Sequence, residues 1–263
     1  MTAAGLPGVA SAPRLPTLGD ALFPASLRRH ATTWQRDALL VAAGTALLIA
    51  GAYVSFTVPA IALGGLYVPV NEYVPLTLQT FGVLFTGALL GARRAVSATG
   101  LYLVIGALGF PVFAADAEGV HRSGLETIVA FEEGRLVLGA TGGYLVGFVV
   151  AAVLVGALAQ RGWDRRLRGS IGAMLLGTVV IYALGVSWLA IAADLALREA
   201  LAFGLFPFLP GDILKLLVAA GLLPLGWRLV SVRASDGSGD RPAAGGSGGR
   251  PAADASGGPP AAD

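Results

Sequence analysis

Residues 207–227 read PFLPGDILKLLVAAGLLPLGW, apolar almost throughout, yet with Asp212 and Lys215 three positions apart near the start. A charged side chain at the centre of a bilayer costs about 3 kcal/mol on insertion scales. A segment that reads as buried in lipid and still carries two formal charges needs something to repay that cost. A partner, a ligand and a water-filled cavity are the options.

The rest of the chain says that lipid is its surroundings. Of 263 residues, 55% are hydrophobic and only 13% are charged, against about 25% charge in a soluble globular protein. That is too little polar side chain to cover a water-facing surface, so the class is polytopic membrane protein. Without cysteine there is no disulfide framework and no thiol chemistry. With two histidines, a histidine-based metal site is not expected. Neither H-E-x-x-H nor a P-loop is present, so the chain has no ATP-hydrolysing module of its own. The pI of 9.2 comes from arginine at membrane edges, not from a nucleic-acid surface.

Six apolar blocks divide the middle of the chain: Ala38–Phe56, Pro75–Leu90, Val96–Ala114, Leu136–Ala159, Ile171–Ala193 and Pro207–Val230. A spanning helix needs about 20 residues. The second block is short and is expected to borrow Asn71–Val74, and Pro210-Gly211 is expected to break the outer end of the sixth. Fourteen arginines fall in the N-terminal segment, the 2–3 and 4–5 turns and the C-terminal segment, and three in the opposite connections. That asymmetry places both termini in the cytoplasm. The expected fold is an all-α membrane protein of six transmembrane helices with long outward loops 1–2 and 3–4. Residues 1–36 form a cytoplasmic N-terminal segment, 37–231 the membrane domain, and 232–263 a disordered Gly/Pro/Ala-rich tail.

Within the blocks, several stretches carry chemistry. Ala38, Ala42, Ala46 and Ala50 make a stripe of small residues that lets another helix approach closely, either from a partner or within the same bundle. Thr77 and Gln79 place a hydroxyl and an amide at a span end, for a ligand or for neighbouring backbone. Gly142 and Gly143, followed by Tyr144, remove bulk beside an aromatic ring with a hydroxyl handle, which serves helix packing or a pocket wall. Tyr182 and Trp188 read first as packing or interface anchors. Asp212 and Lys215 share one helix face, as a self-neutralising pair or as a polar ligand site.

Taken jointly, VPLTLQTFGVLFTGALLG (74–91), GFPVFA (109–114), GATGGYLVGF (139–148), IYALGVSWL (181–189) and PFLPGDILK (207–215) resemble the BioY family. These are the biotin-specific substrate-capture (S) components of energy-coupling-factor (ECF) vitamin transporters. The resemblance implies a non-enzymatic, multi-pass plasma-membrane protein that takes biotin as transported substrate and needs no cofactor. Its implied partners are a transmembrane coupling subunit and two ATP-binding-cassette ATPases, with the alanine stripe toward the coupling subunit. It implies biotin contacts at Asp212 and Lys215, with Gly142, Gly143 and Tyr144 on one wall and Thr77 and Gln79 opposite. The 3–4 loop, Ala114–Leu138, is acidic and longer than the family's, so its ligands do not align directly. Arg135 is the preferred cation there and Arg122 the second. An S component for another small vitamin, or a solitary biotin carrier, are the rival readings.

Overall fold

The computed structural model describes residues 15–28, 30–55, 61–63, 66–68, 76–116, 119–132 and 135–236. The first, most distant part of the N-terminal segment, most of the expected 1–2 loop and the tail from 237 onward lie outside these residues. The described chain runs as α1 (Leu18–Leu22), α2 (Ala25–Arg28), α3 (Thr33–Tyr53), a β1 (Ile61–Leu63)–β2 (Leu66–Val68) hairpin, α4 (Gln79–Leu90) and α5 (Ala92–Ala107). A second hairpin, β3 (Val129–Glu132)–β4 (Arg135–Leu138), precedes α6 (Gly142–Ala159), α7 (Leu167–Ala192), α8 (Leu197–Gly204) and α9 (Leu209–Asp236). The two strands of each hairpin pair antiparallel with one another.

Among the described residues, four helices, α3, α6, α7 and α9, are long and apolar enough to cross a membrane. At 12 residues α4 is a shorter apolar helix. The core centres on α6, which packs most extensively against α7 and then against α4 and α5. Ala151, Ala152 and Val155 of α6 are fully buried, as are Val83, Tyr102, Met174 and Ile181 from its neighbours.

Local chemistry explains where these helices start and stop. At the head of α3, the Thr32 hydroxyl accepts from the Gln35 N–H at 3.3 Å, and the Gln35 side chain accepts from the Thr32 N–H at 2.9 Å. This reciprocal cap satisfies two donors that a helix start otherwise leaves open. Gly91, at φ +76°, turns the chain between α4 and α5 in a backbone region that L side chains rarely adopt. Buried α3 residues are Gly44, Thr45, Leu48, Gly51 and Ala52. Ala38, Ala42, Ala46 and Ala50 lie exposed on the other side of that helix.

Several boundaries differ from the sequence reading. The second block forms a helix only from Gln79, and Asn71–Val74, which it was expected to borrow, lie outside the described residues. The third block forms a helix from Ala92 to Ala107 and not from Val96 to Ala114, because Arg93 and Arg94 sit in its first turn. There Arg94 pairs with Asp37 and Asp20. In the fourth block, Arg135–Leu138 form a strand, and the helix waits until Gly142. Pro210-Gly211 does not break the sixth span: Pro210 falls in the first turn of α9, where a missing N–H costs no intrahelical bond. At its other end α9 runs on through Asp236, past the expected boundary at 231.

The segment before α3 also packs against the bundle. Leu18 is buried, the Leu15 N–H donates to the Gln160 carbonyl, and Asp20 accepts from Arg36 and Arg94. Burial pushes the Asp20 carboxyl up, but the hydrogen bonds from Arg36, Arg94 and Thr17 outweigh it and hold the pKa below the usual carboxylate value.

Candidate functional site

One end of the bundle holds a small cavity of about 50 Å³, below the range of about 300–1,000 Å³ common for small-molecule sites. It is lined from five directions. The entry to α4 gives Thr77, Gln79 and Thr80; α6 gives Tyr144 and Phe148; α7 gives Ile181 and Tyr182; α9 gives Asp212 and Lys215; the 3–4 loop gives Phe113 and Arg122. The arginine-bearing α4–α5 and α6–α7 turns lie at the opposite helix ends.

The two charges of α9 form the polar floor. Their side chains are only 6% and 10% exposed, and Lys215 Nζ lies 2.7 Å from Asp212 Oδ1. Other elements complete the network. The Thr80 hydroxyl donates to Asp212 Oδ1 at 3.1 Å and the Tyr182 hydroxyl to Oδ2 at 2.6 Å. Lys215 also donates to the Thr77 carbonyl at 2.6 Å. An ion pair buried to this degree is stable only when such hydrogen bonds fill its remaining valences. Two of the three ammonium N–H groups are accounted for, leaving one for a ligand.

A second polar chain fixes the wall. Gln79 donates through its amide to the Tyr102 hydroxyl, which donates to the Val112 carbonyl at 3.1 Å. This ties the start of the 3–4 loop to the head of α4. The loop is also held from α3: Tyr53 stacks on His121 with ring centroids 3.7 Å apart and donates to the Pro111 carbonyl at 2.6 Å. Next along the chain, Arg122 reaches the cavity, and among the described residues it has no ion-pair partner. Tyr144 donates to the Gly204 carbonyl at 2.8 Å, holding α6 to α8 with its ring on the cavity.

The structure thus brings Thr77, Gln79, Tyr144, Asp212 and Lys215 around one space. Gly142 and Gly143 stand behind the wall and face α7. A Cβ on Gly143 would meet the Leu184 carbonyl at 2.6 Å and the Trp188 ring at 2.7 Å. Their work is close packing, which seats Trp188 so that its indole donates to the Gly139 carbonyl at 2.9 Å. Arg135 opens β4, but its side chain lies outside the described residues. Arg122, ranked second from sequence, lines the cavity.

Sequence reasoning did not single out Thr80, Phe113 or Phe148, and it read Tyr182 first as packing. The available signal at Tyr182 was a hydroxyl in mid-span, which needs a partner wherever it is buried. Among the described residues, no group of three or more His, Cys, Asp or Glu is placed to hold a metal ion.

Comparison with known proteins gives concordant results. The BioY family model matches residues 25–232. The chain is similar to a "Biotin transporter BioY" of Rhizobium etli, 33% identical over 76% of this chain and 98% of that one. It is also similar to a "Biotin transporter BioY" of Thermotoga maritima, 34% identical over 69% of this chain and 90% of that one. Among solved structures, the fold matches the S-component for biotin from an ECF-type ABC transporter. The TM-score is 0.57 and the identity 24%, over 74% of this chain and 93% of that one.

Proposed function

The chain belongs to the BioY family, and from that premise we propose that it captures biotin at the outer face of the plasma membrane as the S component of an ECF transporter. It is a multi-pass membrane protein of a transporter family and not an enzyme. All of α3, α4, α5, α6, α7 and α9 enter the bilayer, with both termini in the cytoplasm. The cavity then faces outward, because the arginine-rich turns occupy the other end.

One observation carries the ligand reading. The cavity combines aromatic walls with a hydrogen-bonded carboxylate, an ammonium with a spare donor, and a guanidinium lacking a carboxylate partner among the described residues. Biotin has matching parts: two ureido N–H donors, a ureido carbonyl, an apolar bicycle and a carboxylate tail. Asp212 accepts from the ureido N–H groups, and the spare N–H of Lys215 meets the ureido carbonyl. Tyr144, Phe148 and Tyr182 flank the bicycle, and Arg122 takes the tail, with Arg135 as a second cation in the adjacent hairpin. Thr77 and Gln79 position Lys215 and the loop, and Gly142 and Gly143 keep the wall tight. Exclusion of water by the bound ligand strengthens each polar contact.

Release to the cytoplasm runs through the transmembrane coupling subunit, which two ABC ATPases drive. Ala38, Ala42, Ala46 and Ala50 suit that contact: they are exposed, small and aligned on one face of α3.

Equilibrium binding of labelled biotin to the purified chain tests the capture step, with other vitamins as competitors. Saturable binding that only biotin analogues displace is expected; displacement by an unrelated vitamin overturns the ligand assignment. Uptake in cells with and without the ATPases tests the coupling. Equal uptake in both makes the chain a solitary carrier.

A further inference from the structure

At the end of the bundle away from the biotin cavity, a recess of about 450 Å³ lies between the α6–α7 turn and the C-terminal part of α9. Arg165, Arg166, Leu167, Pro224, Trp227 and Arg228 line it. Its back wall is built. The Trp227 indole donates to Asp164 Oδ2 at 2.6 Å, and the Arg165 guanidinium lies 4.5 Å from the Trp227 ring centroid. Asp164 is buried beneath the tryptophan, and its other oxygen has no hydrogen-bond partner among the described residues. Burial raises its pKa above the usual carboxylate value, against the Trp227 hydrogen bond and the nearby Arg165.

None of Arg165, Arg166 and Arg228 is in an ion pair among the described residues. Three cations gather around an aromatic plate where two span-length helices, α7 and α9, emerge from the hydrocarbon. Leu167, Leu225 and Leu229 are exposed nearby. Arginines suit a phosphodiester because the planar fork can donate two parallel bonds to phosphate oxygens. The exposed leucines give acyl chains an apolar surface that a soluble anion would not use. Basic pockets between helices on the cytoplasmic side are established as headgroup sites in other membrane proteins.

We propose that this recess binds the headgroup of an anionic phospholipid of the cytoplasmic leaflet, with Arg166 and Arg228 on the phosphate and Arg165 held ready by Trp227. The site depends on the membrane reading of the fold and not on which vitamin the other cavity takes.

The test titrates the purified chain in neutral detergent with dioctanoyl phosphatidylglycerol, dioctanoyl phosphatidylcholine and glycerol phosphate, read by thermophoresis. Phosphatidylglycerol should bind at least tenfold more tightly than either of the others. The double variant Arg166→Gln/Arg228→Gln should lose that preference to within twofold. The charge-matched Arg93→Gln/Arg168→Gln, exposed and outside the recess, should keep it. Biotin binding, unchanged in both variants, reports that they are folded. Equal binding of glycerol phosphate makes this a soluble-anion site and overturns the lipid assignment. Equal loss in both double variants shows diffuse surface charge and overturns the site.

Discussion

Replacing Lys215 with methionine removes the ammonium but keeps most of the side-chain volume, so the effect isolates charge. It strands Asp212, 95% buried, without its counter-ion. Breaking a buried pair by removing one partner costs about 3–5 kcal/mol, chiefly because the remaining charge is uncompensated. Here the carboxylate retains donors from Tyr182 at 2.6 Å and Thr80 at 3.1 Å, which places the loss at the low end, about 3 kcal/mol. For a chain of this size that is a fall of roughly 6–12 °C in melting temperature. The companion variant Asp212→Asn/Lys215→Met has no stranded charge, and most of the lost melting temperature should return. Biotin binding should not return, because both ligand-facing groups are gone. A fluorescence-detected melt and equilibrium binding of labelled biotin, run on wild type, both single variants and the double variant, separate the two roles. If the double variant binds biotin with wild-type affinity, the pair is a structural tie, and the assignment of Asp212 and Lys215 to the ligand is wrong.

Further tests address the frame around the site. Gly143→Ala should lower the melting temperature through about 1–3 kcal/mol of overpacking against Leu184 and Trp188. Gly100→Ala, in the interior of α5 with nothing within 4 Å of the new Cβ, should be stabilising by about 0.5–1 kcal/mol. Trp188→Phe removes the donor to the Gly139 carbonyl; a loss of about 1–3 kcal/mol in thermal stability should accompany faster biotin release in a chase experiment. Asp20→Asn tests the ion network at the foot of α3. The lowered pKa of Asp20 means that its stabilisation is present above an unfolded-state pKa of about 3.9 and is lost as pH falls through the folded-state value. The variant should therefore melt below wild type at pH 7, by about 2 kcal/mol, and the gap should close in acid below the folded-state pKa. A gap that persists there would assign the loss to shape rather than charge.

The fold was legible where composition alone decides. Each of the six apolar blocks overlaps a helix, and among the described residues four of those helices are long and apolar enough to span a membrane. Boundaries were less legible because they depend on contacts far along the chain. Arg94 extends α5 backwards by pairing with Asp37 and with Asp20, 74 residues away. Leu136–Leu138 read as the start of a span, yet they pair with Val129–Phe131 as a strand, and nothing in an apolar triplet distinguishes the two. In the site, Asp212 and Lys215 stood out because charge is rare in such a segment. Tyr182, Phe113 and Phe148 did not, since an aromatic in an apolar block is ordinary core until the opposite wall is known. The Thr80–Asp212 bond joins residues 132 apart, and no local spacing encodes it.

The brevity of α4 has a mechanical meaning. Twelve residues rise about 18 Å, whereas the oily layer is about 30 Å deep. The head of this short helix, with Thr77, Gln79 and Thr80, lines the cavity beside its longer neighbours α6, α7 and α9. Adding a turn to that end of α4 would displace those three residues from Asp212 and Lys215, and capture should be lost with them.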